Sequence, residues 1–252
     1  MRAQYDLSSK KVLVTGGAAG IGLATVEAFL RCGASVAIND LPGDKLDTLV
    51  AKLSEAGHSV FAAPGDVGSP EGAEAMVAKA IAQLGGLDYL VNNAATPGTT
   101  TPIPAGDFER QTESFWNKIL GVNLLGPFRC TQAAAKALGE SGGAIVNTAS
   151  ISAYGGGGSS SPYCASKAAL ISLTREWARA LAPQVRVNAI APGIVDSEWM
   201  CRFEDSDFDQ ATAVPLQRAG TPEEYAEAIL FLAAGAGYVN GQTLTVDGGL
   251  TI

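Results

Sequence analysis

Residues 161–170 read SPYCASKAAL, placing a phenol at Tyr163 and an ammonium at Lys167 four positions later. On a helix that spacing makes the two groups neighbours on one face, here among residues that are mostly small. Either Tyr163 packs while Lys167 reaches solvent, or the pair moves a proton. A free phenol, with a pKa of about 10, is a poor base near neutrality. An ammonium beside it stabilises the phenolate and brings that pKa toward the working range. Choosing between the two readings needs other groups at fixed places along the chain.

One such group is the glycine cluster TGGAAGIG at residues 15–22, spaced G-x-x-x-G-x-G through Gly16, Gly20 and Gly22. Between a strand and a helix, glycines allow a tight turn and let backbone N–H groups approach a pyrophosphate at the helix N-terminus. Asp40 closes the next apolar run, SVAIN. A carboxylate there accepts hydrogen bonds from the ribose hydroxyls of an adenosine and repels a 2′-phosphate. Neither Ala19 in the loop nor Leu41 after the aspartate is basic, so the favoured cofactor is NAD rather than NADP.

These groups need a scaffold, and the hydrophobic pattern describes one. Short, branched apolar runs at residues 11–15, 35–39, 59–63, 87–93, 144–150, 185–192 and 242–246 read as strands. Helical spacing occupies residues 21–31, 45–55, 70–84, about 112–138, 162–182 and 222–234. Seven strands, apolar on both faces and alternating with six long helices, predict an α/β fold: a doubly wound, seven-stranded parallel sheet with helices on both faces. No linker divides the pattern, so residues 1–252 are expected to form a single domain. The irregular stretches Thr96–Asp107 and Tyr154–Pro162 follow strand ends and read as active-site loops.

Bulk properties narrow the function classes. Of the 252 residues, 47% are hydrophobic and 17% charged, ample for a core, and the net charge of −8 argues against a nucleic-acid partner. Cys32, Cys130, Cys164 and Cys201 form no CxxC pair, and His58 is the one histidine, so no metal site is expected. A Ser-His-Asp triad would have to run through His58, in a polar EAGHS stretch. The segment MRAQYDLSSKK lacks an apolar signal core and no run of 18 apolar residues occurs, so a soluble, cytoplasmic protein without a membrane partner is expected.

Taken in order, TGGAAGIG (15–22), Asp66-Val67, NNAA (92–95), Asn123 in GVNLLG, Ser150 in IVNTAS, YCASK (163–167), Pro192-Gly193 and GQTLTVDGG (241–249) resemble the short-chain dehydrogenase/reductase family. The resemblance covers essentially the whole chain and implies a Rossmann-type fold and a catalytic set of Asn123, Ser150, Tyr163 and Lys167. Tyr163 would be the general base, or the general acid in reduction. Lys167 would lower its pKa and hydrogen-bond the nicotinamide ribose. Ser150 would orient the substrate oxygen, and Asn123 would hold a water leading from Lys167 to solvent.

For the cofactor the resemblance implies Gly16, Ala19, Gly20, Ile21 and Gly22 at the pyrophosphate, Asp40 and Leu41 at the ribose, and Asp66 and Val67 at the adenine. Asn93 and Ala94 would line the adenosine side, with Tyr163, Lys167, Pro192, Gly193, Val195 and Ser197 around the nicotinamide. Three departures from the family pattern stand out. Ala95 replaces a glycine, Ser197 replaces a threonine, and AAGAGYVNG before the last strand is a residue short.

Substrate contacts are expected from Ser150, Ser152, Tyr154, Tyr163, Trp199 and Met200, under a lid at about 194–215 in which Phe203 and Phe208 are possible anchors. That lid is rich in Asp and Glu, which suits a neutral hydroxy or keto compound better than a strong anion. The resemblance also implies a homotetramer formed through the helices at 112–138 and 162–182. The leading expectation is therefore an NAD-dependent enzyme interconverting a secondary alcohol and a ketone. Its rivals are an NADPH-linked 3-oxoacyl-carrier-protein reductase, disfavoured by Asp40 and the acidic charge, and a non-catalytic dinucleotide sensor, which would have no need of a base.

Overall fold

The apolar runs form seven strands of one all-parallel sheet: β1 (Lys11–Val14), β2 (Ser35–Ile38), β3 (Val60–Ala62), β4 (Tyr89–Asn92), β5 (Ala144–Thr148), β6 (Arg186–Pro192) and β7 (Thr243–Val246). The structure is a computed structural model that describes residues 5–197 and 214–252. Its strand order is β3-β2-β1-β4-β5-β6-β7, so the winding reverses between β1 and β4. Parallel register is explicit there: Val12 lies opposite Val36 on β2 and opposite Tyr89 on β4.

Strand alternation explains the two cores. On β1, Val12 and Val14 point into one and Leu13 into the other, all fully buried. The first core is closed by α1 (Gly20–Arg31), α2 (Asp44–Glu55) and α8 (Pro222–Leu230), through Phe29, Leu46 and Tyr225. The second is closed by α3 (Pro70–Leu84), α5 (Leu125–Ser141) and α7 (Ser161–Ala180), through Met76, Leu138 and Ala178. Burial on both faces is why the strands read as continuous apolar runs.

The helix expected over 112–138 is two helices, α4 (Glu113–Asn123) and α5, separated at Leu124. Pro127 lies four residues beyond Asn123 and has no N–H, so the Asn123 carbonyl lacks its helical donor at this point. The helix expected over 222–234 likewise ends early, at Leu230, and continues as a π turn over Phe231–Gly235. The guanidinium of Arg186 donates to the carbonyls of Leu232 (2.8 Å) and Ala233, tying that turn to the start of β6. A short helix, α6 (Ser152–Gly155), interrupts the loop after β5.

Candidate active site

Every expected site residue among the described ones lies at or just after the C-terminal end of a strand or on α4 or α7, which pack against each other, α7 also against β6. Open α/β sheets bind ligands there, at the point where the winding reverses. After β1, Gly16 and Gly20 take φ of 62° and 51°, values that L side chains avoid. A Cβ at Gly16 would lie 2.9 Å from the Cα of Ala94, and one at Gly22 would strike the carbonyl of Gly16. No side chain caps the N-terminus of α1 at Ala19, which leaves its first N–H groups to an anion. These features fit the pyrophosphate of a dinucleotide.

Asp40 is fixed by its surroundings: Oδ2 accepts from the Ala18 N–H (3.1 Å) and Oδ1 from the Leu41 N–H (2.9 Å). The carboxylate is thereby held against the glycine loop with lone pairs left for hydroxyl donors. Asp66 accepts from the Gly68 N–H at 2.7 Å, which turns the chain after β3, and Val67 is buried beside Gly126. Arg129 on α5 donates to the carbonyls of Val67 (3.2 Å), Gly68 (3.0 Å) and Gly121 (3.0 Å), fastening this turn to α4. Nothing local in the sequence marked Arg129.

Asn93 turns its amide away from the open edge, donating to the carbonyls of Thr15 and Gly16, each at 3.1 Å. Thr15, also missed in the sequence, is the centre of this joint: its buried hydroxyl accepts from the N–H groups of Asn93 (3.0 Å) and Ala94 (3.1 Å). After β6, the Pro192 carbonyl accepts from Ile151, the Gly193 N–H donates to Val246, and Val195 bridges to Gly220. Ser197 lies over the glycine loop, its Cβ 3.8 Å from where a Gly20 Cβ would be. Trp199, Met200, Phe203 and Phe208 lie outside the described residues, as does most of the expected lid.

Tyr163 and Lys167 stand one turn apart at the start of α7, where Ser160 caps the helix by accepting from the Tyr163 N–H at 3.4 Å. The Lys167 Nζ lies 5.7 Å from the Tyr163 ring centroid and donates to the Thr148 carbonyl at 2.8 Å. Burial pulls the Lys167 pKa down to about 8. Burial also pushes Tyr163 up to about 12, opposed by a hydrogen bond with Ser150 and reinforced by Cys164. The group that lowers the phenol here is thus Ser150. The Lys167 ammonium donates to the Thr148 carbonyl, and desolvation of the phenolate is the largest influence on the phenol.

Asn123 is fully buried, its Oδ1 accepting from the Thr96 N–H (2.8 Å) and its Nδ2 donating to the Thr96 carbonyl (3.0 Å) and Ser166 (3.3 Å). Its side chain therefore pins the loop after β4 onto α7. Its main-chain carbonyl, at the break before α5, has no N–H at Pro127 to accept from. Gln111 adds a second pin, donating to Pro104, Ala105 and Asp107 carbonyls and accepting from the Ser161 N–H at 3.2 Å. Ser152 is buried, with its hydroxyl on Ser150, whereas Tyr154 is 52% exposed.

Comparison with known proteins agrees with this geometry. The family model described as enoyl-(acyl carrier protein) reductase matches residues 16–251. A 3-oxoacyl-[acyl-carrier-protein] reductase of Thermotoga maritima is 35% identical over 250 residues, covering 98% of this chain and 99% of that protein. A 3β-hydroxysteroid dehydrogenase of Eggerthella lenta is 36% identical, covering 96% and 95%. The crystal structure of a Burkholderia cenocepacia short-chain dehydrogenase in complex with NADP superposes with a TM-score of 0.86 at 33% identity, covering 98% of this chain and 100% of that one. Similarity of sequence and of backbone along almost the full length leads to one conclusion: this chain belongs to the short-chain dehydrogenase/reductase family, oxidoreductases built on a Rossmann-like fold.

Proposed function

We propose that the protein is an NAD-dependent enzyme that interconverts a neutral secondary alcohol and its ketone, with Tyr163 as the general acid–base. The observation that carries this reading is the buried phenol of Tyr163, hydrogen-bonded to Ser150 and one helical turn from Lys167. NAD, held by the glycine loop, Asp40 and the segment Pro192–Ser197, supplies the hydride acceptor. Ser150 donates a hydrogen bond to the substrate oxygen and orients it toward Tyr163. In oxidation Tyr163 removes the hydroxyl proton, and in reduction it returns one. Lys167 holds the phenolate electrostatically and passes its proton toward the Asn123 carbonyl and solvent.

A positive charge brought beside Tyr163 would lower a pKa that burial holds at about 12, so the base is weak until the site is filled. Asp40 favours NAD because a 2′-phosphate would face its carboxylate. The second reading, an NADPH-linked 3-oxoacyl-carrier-protein reductase, has the Thermotoga relative and the NADP complex of the Burkholderia protein in its favour. The active form is proposed to be a tetramer joined through α4, α5 and α7, and sedimentation as a monomer at micromolar concentration would overturn that.

Nicotinamide absorbance with a panel of secondary alcohols and ketones tests the reaction. Tyr163→Phe is expected to reduce turnover by at least about a hundredfold while dinucleotide binding, read by fluorescence quenching, is unchanged. Unchanged turnover in this variant would end the assignment.

A further inference from the structure

Ser150 Oγ accepts two hydrogen bonds from one residue. The hydroxyl of Ser152 donates to it at 2.9 Å and the N–H of Ser152 at 3.1 Å. A serine hydroxyl has one donor hydrogen and two lone pairs, so both lone pairs of Ser150 are taken. Its single O–H can then only donate, and Ser150 is a group that lowers the pKa of the Tyr163 phenol. We infer that Ser152 is a positioning residue of the reaction, which acts through Ser150 by making that hydroxyl an obligate donor, its one hydrogen directed to Tyr163 in the empty site and to the substrate oxygen once substrate is bound. This rests on the reading of Ser150 and Tyr163 given above.

The surroundings leave Ser152 little freedom to do anything else. It is 5% exposed, and its hydroxyl is held on Ser150 at the first residue of α6. Gly158 provides the room: a Cβ there would come within 2.8 Å of the Tyr163 ring, 3.0 Å of Cys164 Sγ and 3.1 Å of the Ser152 Cβ. Ser152 and Tyr163 therefore converge on one spot that a side chain at 158 would fill. The chemical consequence is directional. A Ser150 able to accept would compete with Tyr163 for the proton of the substrate alcohol, whereas a Ser150 that can only donate leaves the phenolate as the one acceptor. A hydroxyl polarised by a second hydroxyl is also a better donor, which stabilises the phenolate further.

The test is the pH dependence of kcat for alcohol oxidation in Ser152→Ala, Ser150→Ala and the double variant, with thermal melts of each. In Ser152→Ala the apparent pKa of the base is expected to rise by about 0.5–1, with kcat below that pKa falling roughly 3- to 10-fold. Ser152→Thr, which keeps the hydroxyl, is expected to restore the profile. Adding Ser152→Ala to Ser150→Ala is expected to move the profile no further, because the effect runs through Ser150. A Ser152→Ala profile identical to that of the wild type overturns the inference, as does an additive loss in the double variant. Should Ser152→Ala fail to fold, Ser152→Cys fills the same space with a weak donor and is read against the same two criteria. Failure of the underlying reading looks different: Tyr163→Phe would then retain turnover, whatever the Ser152 variants do.

Discussion

At the residue scale the site is a set of polar side chains whose partners are already chosen. Asp40 spends one lone pair of each carboxylate oxygen on backbone N–H groups, so it is oriented before any ribose arrives. In the proposed NAD reading, that orientation sets its negative charge against a 2′-phosphate. Asp40→Ser is expected to raise kcat/KM with NADP at least about tenfold relative to NAD, about 1.4 kcal/mol of discrimination. An unchanged NADP/NAD ratio would locate the selectivity elsewhere and strengthen the NADPH-linked reading. Asn93 and Asn123 both use their side-chain amides to hold loops, Asn93 the glycine loop and Asn123 the loop after β4. The phenol of Tyr163 is buried, with Ser150 lowering its pKa, and the hydroxyl and N–H of Ser152 both donate to Ser150.

At the element scale α7 matters most, because it carries Tyr163, Ser166 and Lys167 on one face and begins at the site. Its N-cap is Ser160, whose hydroxyl accepts from the backbone N–H of Tyr163 itself. Pro162 follows in the first turn, where its missing N–H costs nothing. Ser160→Ala is expected to lower stability by about 1 kcal/mol in urea denaturation and to reduce kcat, since fraying of the first turn loosens the tyrosine. Equal stability together with equal kcat would show that the cap bears on neither. The break between α4 and α5 belongs to the same scale. It leaves the carbonyl of Asn123 without its helical donor, because Pro127 has no N–H.

For the whole molecule, the sheet buries Lys167 so deeply that folding competes with its charge. Its pKa of about 8 lies below the ordinary 10.5, so between these values the unfolded chain holds more protons than the folded one and stability rises with pH. The cost is complete below pH 8 and is relieved through 10.5. Lys167→Met is therefore expected to be more stable than the wild type at pH 7, by on the order of 2–3 kcal/mol, with the advantage shrinking toward pH 10.5. An advantage that does not change over that window would show that the buried ammonium has another source of compensation. Tyr163 has the opposite sign: with its pKa raised to about 12, its contribution is complete below 10 and is lost as pH rises through 12. Among the described residues no helix is long and apolar enough to cross a membrane.

The amino-acid sequence by itself determined the alternation of strands and helices, the glycine loop, Asp40 and the order of Asn123, Ser150, Tyr163 and Lys167. Each is a local property: an apolar run, a turn chemistry or a spacing within one helix. Only the tertiary structure decided what those residues bind. Asn93 reaches 77 residues back to Gly16, Arg129 reaches 62 back to Val67, and Asn123 pairs with Thr96 across 27. The division of 112–138 into two helices was written locally in Pro127, but apolar periodicity runs through such a break unaltered. Ser152 shows the same limit at short range. Its place in the loop after the fifth strand made it an expected substrate contact, yet only the turn into α6 and the space left at Gly158 directed its hydroxyl onto Ser150, because a hydrogen bond is a matter of direction that sequence spacing does not carry.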